Sequence, residues 1–150
     1  MTTDEARNSA AIRETYAAAL QHELVEVEDD ASVVGVVRRP PGWFRATVDE
    51  NRPELGPPEQ LLDEVKQRHE DLKMQGMCDE GAHNAAWEEC DFDERYRDHL
   101  ADSSAAQETL DDLVTAAEGG TTVVLVCFEG ENKRCHRHML IEELRARLHA

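Results

Sequence analysis

The residue types best suited to chemistry lie together near the C-terminus of the 150-residue chain. Cys127 ends a hydrophobic run, and a short polar segment leads from it to Cys135-His136-Arg137, at the start of a predicted helix. A cysteine in the first turn of a helix and among cations has a lowered pKa and thiolate character. The pattern therefore predicts a nucleophilic Cys135, with His136 as acid or base and Arg137 stabilising negative charge.

A second concentration of positive charge follows an earlier hydrophobic run, at Arg38-Arg39, just before Trp43. If the two runs are neighbouring parallel strands, their ends meet at the sheet edge where ligands of open parallel sheets bind. Cations at a helix start are unfavourable unless an anion is nearby, so the sequence predicts a cleft for a phosphate-like group. The predicted ligand-binding residues are Arg38, Arg39, Trp43, Cys127, Glu129, Lys133 and Arg134.

Ordinary structural roles and metal binding compete with anion binding at the same positions. The arginines can pair with carboxylates of the chain, and Cys127 can be a packed strand residue. A phosphatase- or rhodanese-type loop has an arginine six residues after its cysteine. This chain has Lys133 six residues after Cys127, so it matches such a loop poorly. A metal site built on Cys127, Cys135-His136 and His83 ranks below the anion cleft, because adjacent Cys and His on a helix do not readily reach one ion. Neither a metal nor another cofactor is predicted.

Hydrophobic periodicity indicates which elements hold these residues in place. The first part of the chain is predicted as a helix, a weak edge strand, a strong strand and a loop, over residues 3–22, 23–28, 32–38 and 45–56. The strong strand is apolar on both faces, as in a parallel sheet, and stops at Pro40-Pro41 because proline cannot donate to a ladder.

Helices dominate the rest of the predicted structure. One opens at Pro57-Pro58, where proline is tolerated. Capping-box patterns predict two more, beginning at Asp91 and Ser104, and Gly119-Gly120 ends the second. The remaining elements are an irregular segment, a helical turn, a buried strand and a last helix, over residues 77–84, 85–90, 121–128 and 135–148. Within the helices the pattern assigns His69 and His99 to the surface or the boundary and Trp87 and Tyr96 to the core.

Helices before, between and after two hydrophobic strands are typical of an α/β fold with parallel strands. The prediction is a small, mostly parallel sheet flanked by helices, in one domain that spans residues 1–150. The length is that of a single domain with a substantial core.

The balance of acidic and basic residues indicates which partners and which compartment suit the protein. Asp and Glu number 33 against 16 Lys and Arg, for a net charge of −17. Such a surface favours a salty cytoplasm and argues against nucleic acid except as a local end. With no apolar run of transmembrane length and no signal peptide, the chain is expected to be cytoplasmic, without a membrane partner. Its four cysteines are therefore expected to be thiols.

The motifs also resemble a known family. Val126-Cys127-Phe128-Glu129 followed by Cys135-His136-Arg137 is similar to the C-terminal signature of domain of unknown function 488. The turn at residues 36–44, the helix opening at 56–62 and the helix at 92–100 are similar to further parts of that family. The resemblance implies a compact α/β domain with no assigned reaction, and the acidic composition fits a haloarchaeal member. The family motif residues present here are Arg39, Pro40, Pro41, Trp43, Cys127, Glu129, Cys135, His136 and Arg137.

Three functional hypotheses follow. The first is a cleft that binds a small anionic ligand, such as a nucleotide or a nucleic-acid end. The second is an enzyme that uses a Cys135 thiolate with His136 and Arg137. The third is a structural or interaction module in which Cys-His-Arg fastens the last helix to the sheet.

Overall fold

A computed structural model of the chain describes residues 11–128 and 133–148. A four-stranded parallel sheet forms its centre, in the order β1-β4-β2-β3. The strands are β1 (Ile12–Tyr16), β2 (Ser32–Gly35), β3 (Glu50–Asn51) and β4 (Val123–Cys127). This architecture confirms the predicted α/β class, with a parallel sheet flanked by helices.

Seven α-helices and one 3-10 turn surround the sheet in the described parts of the chain. The α-helices are α1 (Ala17–Gln21), α2 (Gly42–Arg45), α3 (Glu59–Met74), α4 (Asp79–Glu89), α5 (Phe92–Asp102), α6 (Ser104–Glu118) and α7 (His136–Leu148). The 3-10 turn is Pro53–Leu55. Each long helix buries an apolar stripe against the sheet or a neighbouring helix, as amphipathic helices do. None of these helices is both long enough and apolar enough to cross a bilayer.

Strand β4 lies inside the sheet, between β1 and β2, and sets the register of both. All five of its residues are buried, which explains its continuous apolar sequence. Val34 of β2 lies opposite Leu125, and Tyr16 of β1 lies opposite Cys127. The carboxyl ends of β1, β2 and β4 therefore meet at one edge, and the predicted adjacency of β2 and β4 is confirmed.

The segment after β2 is held by the side-chain amide of Asn51, which makes two hydrogen bonds with the backbone as a neighbouring strand would. The Asn51 amide donates to Val37 O at 2.9 Å and accepts from Val37 N at 3.1 Å. The close fit requires Gly35, since a Cβ there would lie 2.6 Å from both Asn51 Oδ1 and Phe44 Cε1. Ladder-like pairing thus extends past the end of β2 and fixes the segment that leads to Arg38.

The N-terminal predictions are partly wrong. In its described part, the predicted helix over 3–22 is interrupted by strand β1, after which Ala17–Gln21 is helical. Residues 23–28 form no strand. The spacing of Ile12, Tyr16 and Leu20 along one face predicts a helix, although Ile, Thr and Tyr also favour strands. Pairing with β4 buries Ile12 completely and selects the extended form.

Other differences concern element boundaries. The predicted loop 45–56 contains β3 and the 3-10 turn, and the predicted irregular segment 77–84 is largely the first half of α4. Asp91 makes no side-chain cap, because its backbone is left-handed with φ of 52°. Ser103, one residue before the predicted cap, accepts from Ala106 N instead. The predicted end of the helix at Gly119 is confirmed.

Candidate functional site

A cavity of about 330 Å³ lies where the ends of β2 and β4 meet helices α3 and α4. It is lined by Val37, Arg38, Arg39, Pro57, Leu62, Val65, Lys66, His69, His83, Trp87, Phe92, Cys127, Phe128, Lys133, Cys135 and His136. Six of the predicted site residues are therefore brought together here, since Arg38, Arg39, Cys127, Lys133, Cys135 and His136 all line it. A volume of this size falls within the range of small-molecule sites.

Arg38 is fixed by backbone carbonyls. Its Nε donates to Pro57 O at 3.1 Å, and its Nη2 donates to Gly56 O at 2.8 Å. A side chain at Gly56 is excluded, because a Cβ there would lie 2.4 Å from Arg38 N. Among the described residues no carboxylate forms an ion pair with Arg38. The two backbone carbonyls therefore position the guanidinium without cancelling its positive charge.

The other lining cations are more exposed. Arg39 Nη2 lies 3.1 Å from Asp63 Oδ1. Lys133 Nζ lies 2.5 Å from an Asp79 oxygen, and hydrogen bonds from Lys133 and then Lys73 hold the pKa of Asp79 below its usual value. Lys66 adds an exposed cation from α3.

The lining therefore has a clear charge bias. Arg38, Arg39, Lys66 and Lys133 contribute four cations, and none of the described lining residues is Asp or Glu. The whole chain has twice as many acidic as basic residues, 33 against 16. Two of the four cations, Arg39 and Lys133, pair with the carboxylates of Asp63 and Asp79, which do not line the cavity.

The opposite wall is aromatic. Trp87 and Phe92 stack with ring centroids 3.5 Å apart, and Trp87 Nε1 donates to Asp93 at 2.7 Å. His83 is buried, and its Nε2 donates to Arg134 O at 2.9 Å. These hydrogen bonds hold the rings of His83 and Trp87 in place, with Trp87 5 % and Phe92 1 % exposed.

His136 has a defined tautomer. Its Nε2 lies 2.5 Å from Val36 O, and because a carbonyl oxygen only accepts, Nε2 carries the proton. The unprotonated Nδ1 lies 3.6 Å from Cys135 Sγ. Burial lowers the pKa of His136 to about 4, against the opposing effect of the Val36 hydrogen bond. The imidazole is consequently neutral at pH 7, with its unprotonated Nδ1 beside the Cys135 thiol.

Cys135 does not have the lowered pKa that its sequence context predicts. It lies just before α7 and is only 3 % exposed. Burial raises the pKa of its thiol, and a hydrogen bond with Cys127 raises it further. Desolvation outweighs the nearby cations because a thiolate loses more hydration on burial than a thiol does.

Arg137 points away from the main cavity. It is 2 % exposed, and its Nη1 donates to Cys127 Sγ at 2.6 Å. Its Nε lies 3.5 Å from a Glu14 oxygen, and its guanidinium carbon lies 5.8 Å from the centre of the Tyr16 ring. It lines a separate cavity of about 300 Å³ beside β1. The cation predicted to act at Cys135 is therefore directed at Cys127.

Two other predicted residues do not line the cavity. Trp43 is 51 % exposed and contacts the ring of Phe128, with centroids 5.7 Å apart. Arg134 pairs with Glu88 at 2.8 Å and with Asp93 at 3.2 Å. Glu129 lies outside the described residues.

Sequence reasoning misses several lining residues. It does not single out Lys66, and it gives His69 and Trp87 only surface-or-boundary and core roles. His69 is half-buried and Trp87 is buried, as predicted, yet all three residues line the cavity. A signal is present, since Leu62, Lys66 and His69 share one helical face, as do His83 and Trp87. Basic side chains on the same stripe as apolar ones indicate a wall that faces a polar cavity.

The described residues contain no group of three or more His, Cys, Asp and Glu placed as metal ligands would be. The model of the DUF488-N3a family, described as the active DUF488-N3 subclade, matches residues 15–148. The chain belongs to the DUF488 family. The DUF488 match contains the end of β2, the aromatic wall, both cavity cysteines and the start of α7. No curated protein and no solved structure matches the chain.

Proposed function

We propose that the cavity binds a small anionic ligand that carries a phosphate group, such as a nucleotide. The observation that carries this proposal is the charge bias of the lining, with four cations and no acidic side chain among its described residues. Arg38 contributes most, because its half-buried guanidinium is held by carbonyls and not by a described carboxylate. Guanidinium and ammonium groups are the usual partners of phosphate oxygens.

The aromatic wall supports a ligand with a flat apolar part. Trp87, Phe92 and Phe128 line the same cavity as the four cations. Aromatic rings accept planar bases by stacking, while the cations accept the charged end. A nucleotide unites both chemistries in one molecule, and in a nucleic acid only a free terminus would enter so small a cavity.

A thiol enzyme is the second candidate. The DUF488-N3 subclade is described as active, and Cys135 and His136 lie in contact on the cavity wall. The catalytic assignment of Cys135, His136 and Arg137 stays a prediction. A purely structural role is favoured by the hydrogen bond from His136 to Val36 and by the contacts of the buried Arg137 with Cys127 and Glu14, which fasten α7 to β2, β4 and β1.

The test is calorimetric titration with adenosine 5′-monophosphate, inorganic phosphate and adenosine at one fixed ionic strength. We expect the monophosphate to bind, and Lys66→Gln to weaken it about tenfold, equal to about 1.4 kcal/mol. Lys73→Gln is the matched control, because Lys73 is an exposed lysine on the same helix but does not line the cavity. Binding of neither anion, or an equal loss in both variants, would overturn the proposal.

We also propose that the protein is cytoplasmic and adapted to high salt. The net charge of −17 and only three lysines support this, because self-repulsion of carboxylates is relieved by screening. Thermal unfolding should shift to higher temperature as KCl is added. Unfolding that is insensitive to KCl at constant pH would contradict the adaptation.

A further inference from the structure

We propose that Cys127 and Cys135 form a redox-active dithiol, in which Cys127 is the attacking thiolate and Cys135 is the resolving thiol. Both sulfurs belong to residues that line the main cavity. Arg137 donates to one of them, and His136 contacts the other. The two side chains also share a hydrogen bond. This inference is independent of anion binding, since an anion can occupy the cavity without any reaction of the thiols.

The environment of Cys127 is suited to a thiolate. Arg137 Nη1 lies 2.6 Å from its sulfur, and the guanidinium is almost completely buried. A fixed positive charge in contact with sulfur favours the deprotonated form. At Cys127, which is only 1 % exposed, this contact opposes the desolvation that favours the thiol. Cys127 ends β4 at the sheet edge, so its sulfur is held by the most rigid element of the fold.

The environment of Cys135 is suited to a thiol that reacts second. Burial keeps it protonated, because its pKa is raised. The unprotonated Nδ1 of His136 lies 3.6 Å from its sulfur and can take the proton when Cys135 becomes a nucleophile. The sequence-based assignment of the attacking role to Cys135 is therefore reversed in this proposal, because the cation lies at the other sulfur.

The oxidant that fits is a hydroperoxide, whose small uncharged body can enter an apolar-lined cavity. The Cys127 thiolate attacks the terminal oxygen, an S–O bond forms, the O–O bond breaks, and its electron pair leaves on an alkoxide that takes a proton from water. Cys135 then gives its proton to His136 Nδ1 and attacks the Cys127 sulfur. An S–S bond forms, and the departing hydroxide takes the proton from His136 to become water. The dithiol loses two electrons and the hydroperoxide gains them, and a thiol reductant restores the dithiol by exchange.

The remaining two cysteines provide an internal reference. Cys78 is exposed, and its sulfur accepts from Gly81 N at 3.3 Å. Cys90 is half-buried, and burial raises the pKa of its thiol. In the described parts of the chain, no arginine donates to either of these sulfurs. Ordinary thiol oxidation should favour the exposed Cys78, whereas the proposal requires the buried Cys127 to react first.

The test treats the full chain with limiting tert-butyl hydroperoxide and maps its cysteines by mass spectrometry. We expect a Cys127–Cys135 disulfide in the wild-type protein and in Cys78→Ser. In Cys135→Ser, dimedone should trap a sulfenic acid at Cys127, and in Cys127→Ser neither product should form. Because a serine variant of a buried cysteine can fail to fold, the order of reaction of the four thiols is also measured in the wild-type protein.

Oxidation of Cys78 ahead of Cys127, or the absence of the disulfide in folded wild-type protein, would overturn the dithiol proposal. No phosphate-bearing ligand takes part in this experiment. Its failure would therefore leave the proposed anion binding intact, and failure of the calorimetric titration would leave the dithiol intact.

Discussion

Two regions at the carboxyl edge of the sheet differ sharply in how they hold charge. The thiol cluster (Cys127, Cys135, His136 and Arg137) is buried, and its polar atoms have fixed hydrogen bonds within the protein. The cationic rim (Arg38, Arg39, Lys66 and Lys133) is half-buried or exposed. Buried polar groups depend on their partners for stability, whereas exposed pairs are weak and screened. Changes in the cluster should therefore affect folding and proton binding, and changes in the rim should affect ligand binding.

The largest expected effect is that of Arg137→Ala. This change removes the donor to Cys127 and leaves Glu14 without its guanidinium neighbour. Breaking a buried charged contact costs about 3 kcal/mol or more, so the urea midpoint should fall strongly. Arg39→Ala is the matched control on the rim, where an exposed pair with Asp63 is worth at most about 1 kcal/mol. Equal losses in both variants would remove the distinction between the two regions.

The next effect is a pH dependence that His136 imposes on folding. Its pKa is about 4 in the folded protein, below the ordinary value of 6.5. The unfolded chain therefore binds more protons between these values, and the free energy of unfolding falls as pH decreases from about 6.5 to 4. The difference between the two pKa values corresponds to about 3 kcal/mol. Above pH 6.5 this contribution is complete and constant.

His136→Gln should remove that dependence. Glutamine keeps an N–H that can reach Val36 O but cannot be protonated. We expect the variant to be less stable at neutral pH, and its free energy of unfolding to change less between pH 6.5 and 4. Urea unfolding at several pH values measures the slope. His22→Gln, at an exposed histidine, is the control and should keep the wild-type slope. A His136→Gln variant with the wild-type slope would contradict the assignment.

The same contrast explains what the sequence could and could not predict. The parallel sheet was predictable, because strands that are buried on both faces read as continuous apolar runs; that β2 and β4 are neighbours was a condition, which the structure meets. The strand at Ile12–Tyr16 was not predictable, since its extended form depends on pairing with β4. Charge and spacing located the rim residues Arg38 and Arg39.

Side-chain direction in the thiol cluster was beyond sequence reasoning. Whether Arg137 faces Cys135 or Cys127 depends on where α7 begins and how it is rotated against the sheet. The helix begins at His136, which turns Arg137 toward β1 and β4. Burial of Cys135 raises the pKa of its thiol, whereas its place at a helix start predicts a lowered pKa. The sequence does not show how deeply that side chain is buried. A sequence motif specifies which residues are close in the chain and leaves open which atoms meet.

The most direct test of the central claim uses the two tryptophans of the chain. Trp87 lines the cavity, whereas Trp43 lies outside it and is half exposed. In Trp43→Phe, Trp87 is the only tryptophan, and its emission should change saturably as adenosine 5′-monophosphate is added at constant ionic strength. In Trp87→Phe, the emission of Trp43 should stay constant. An unchanged Trp87 signal while calorimetry reports binding would mean that the anion binds elsewhere, and the cavity would lose its proposed role.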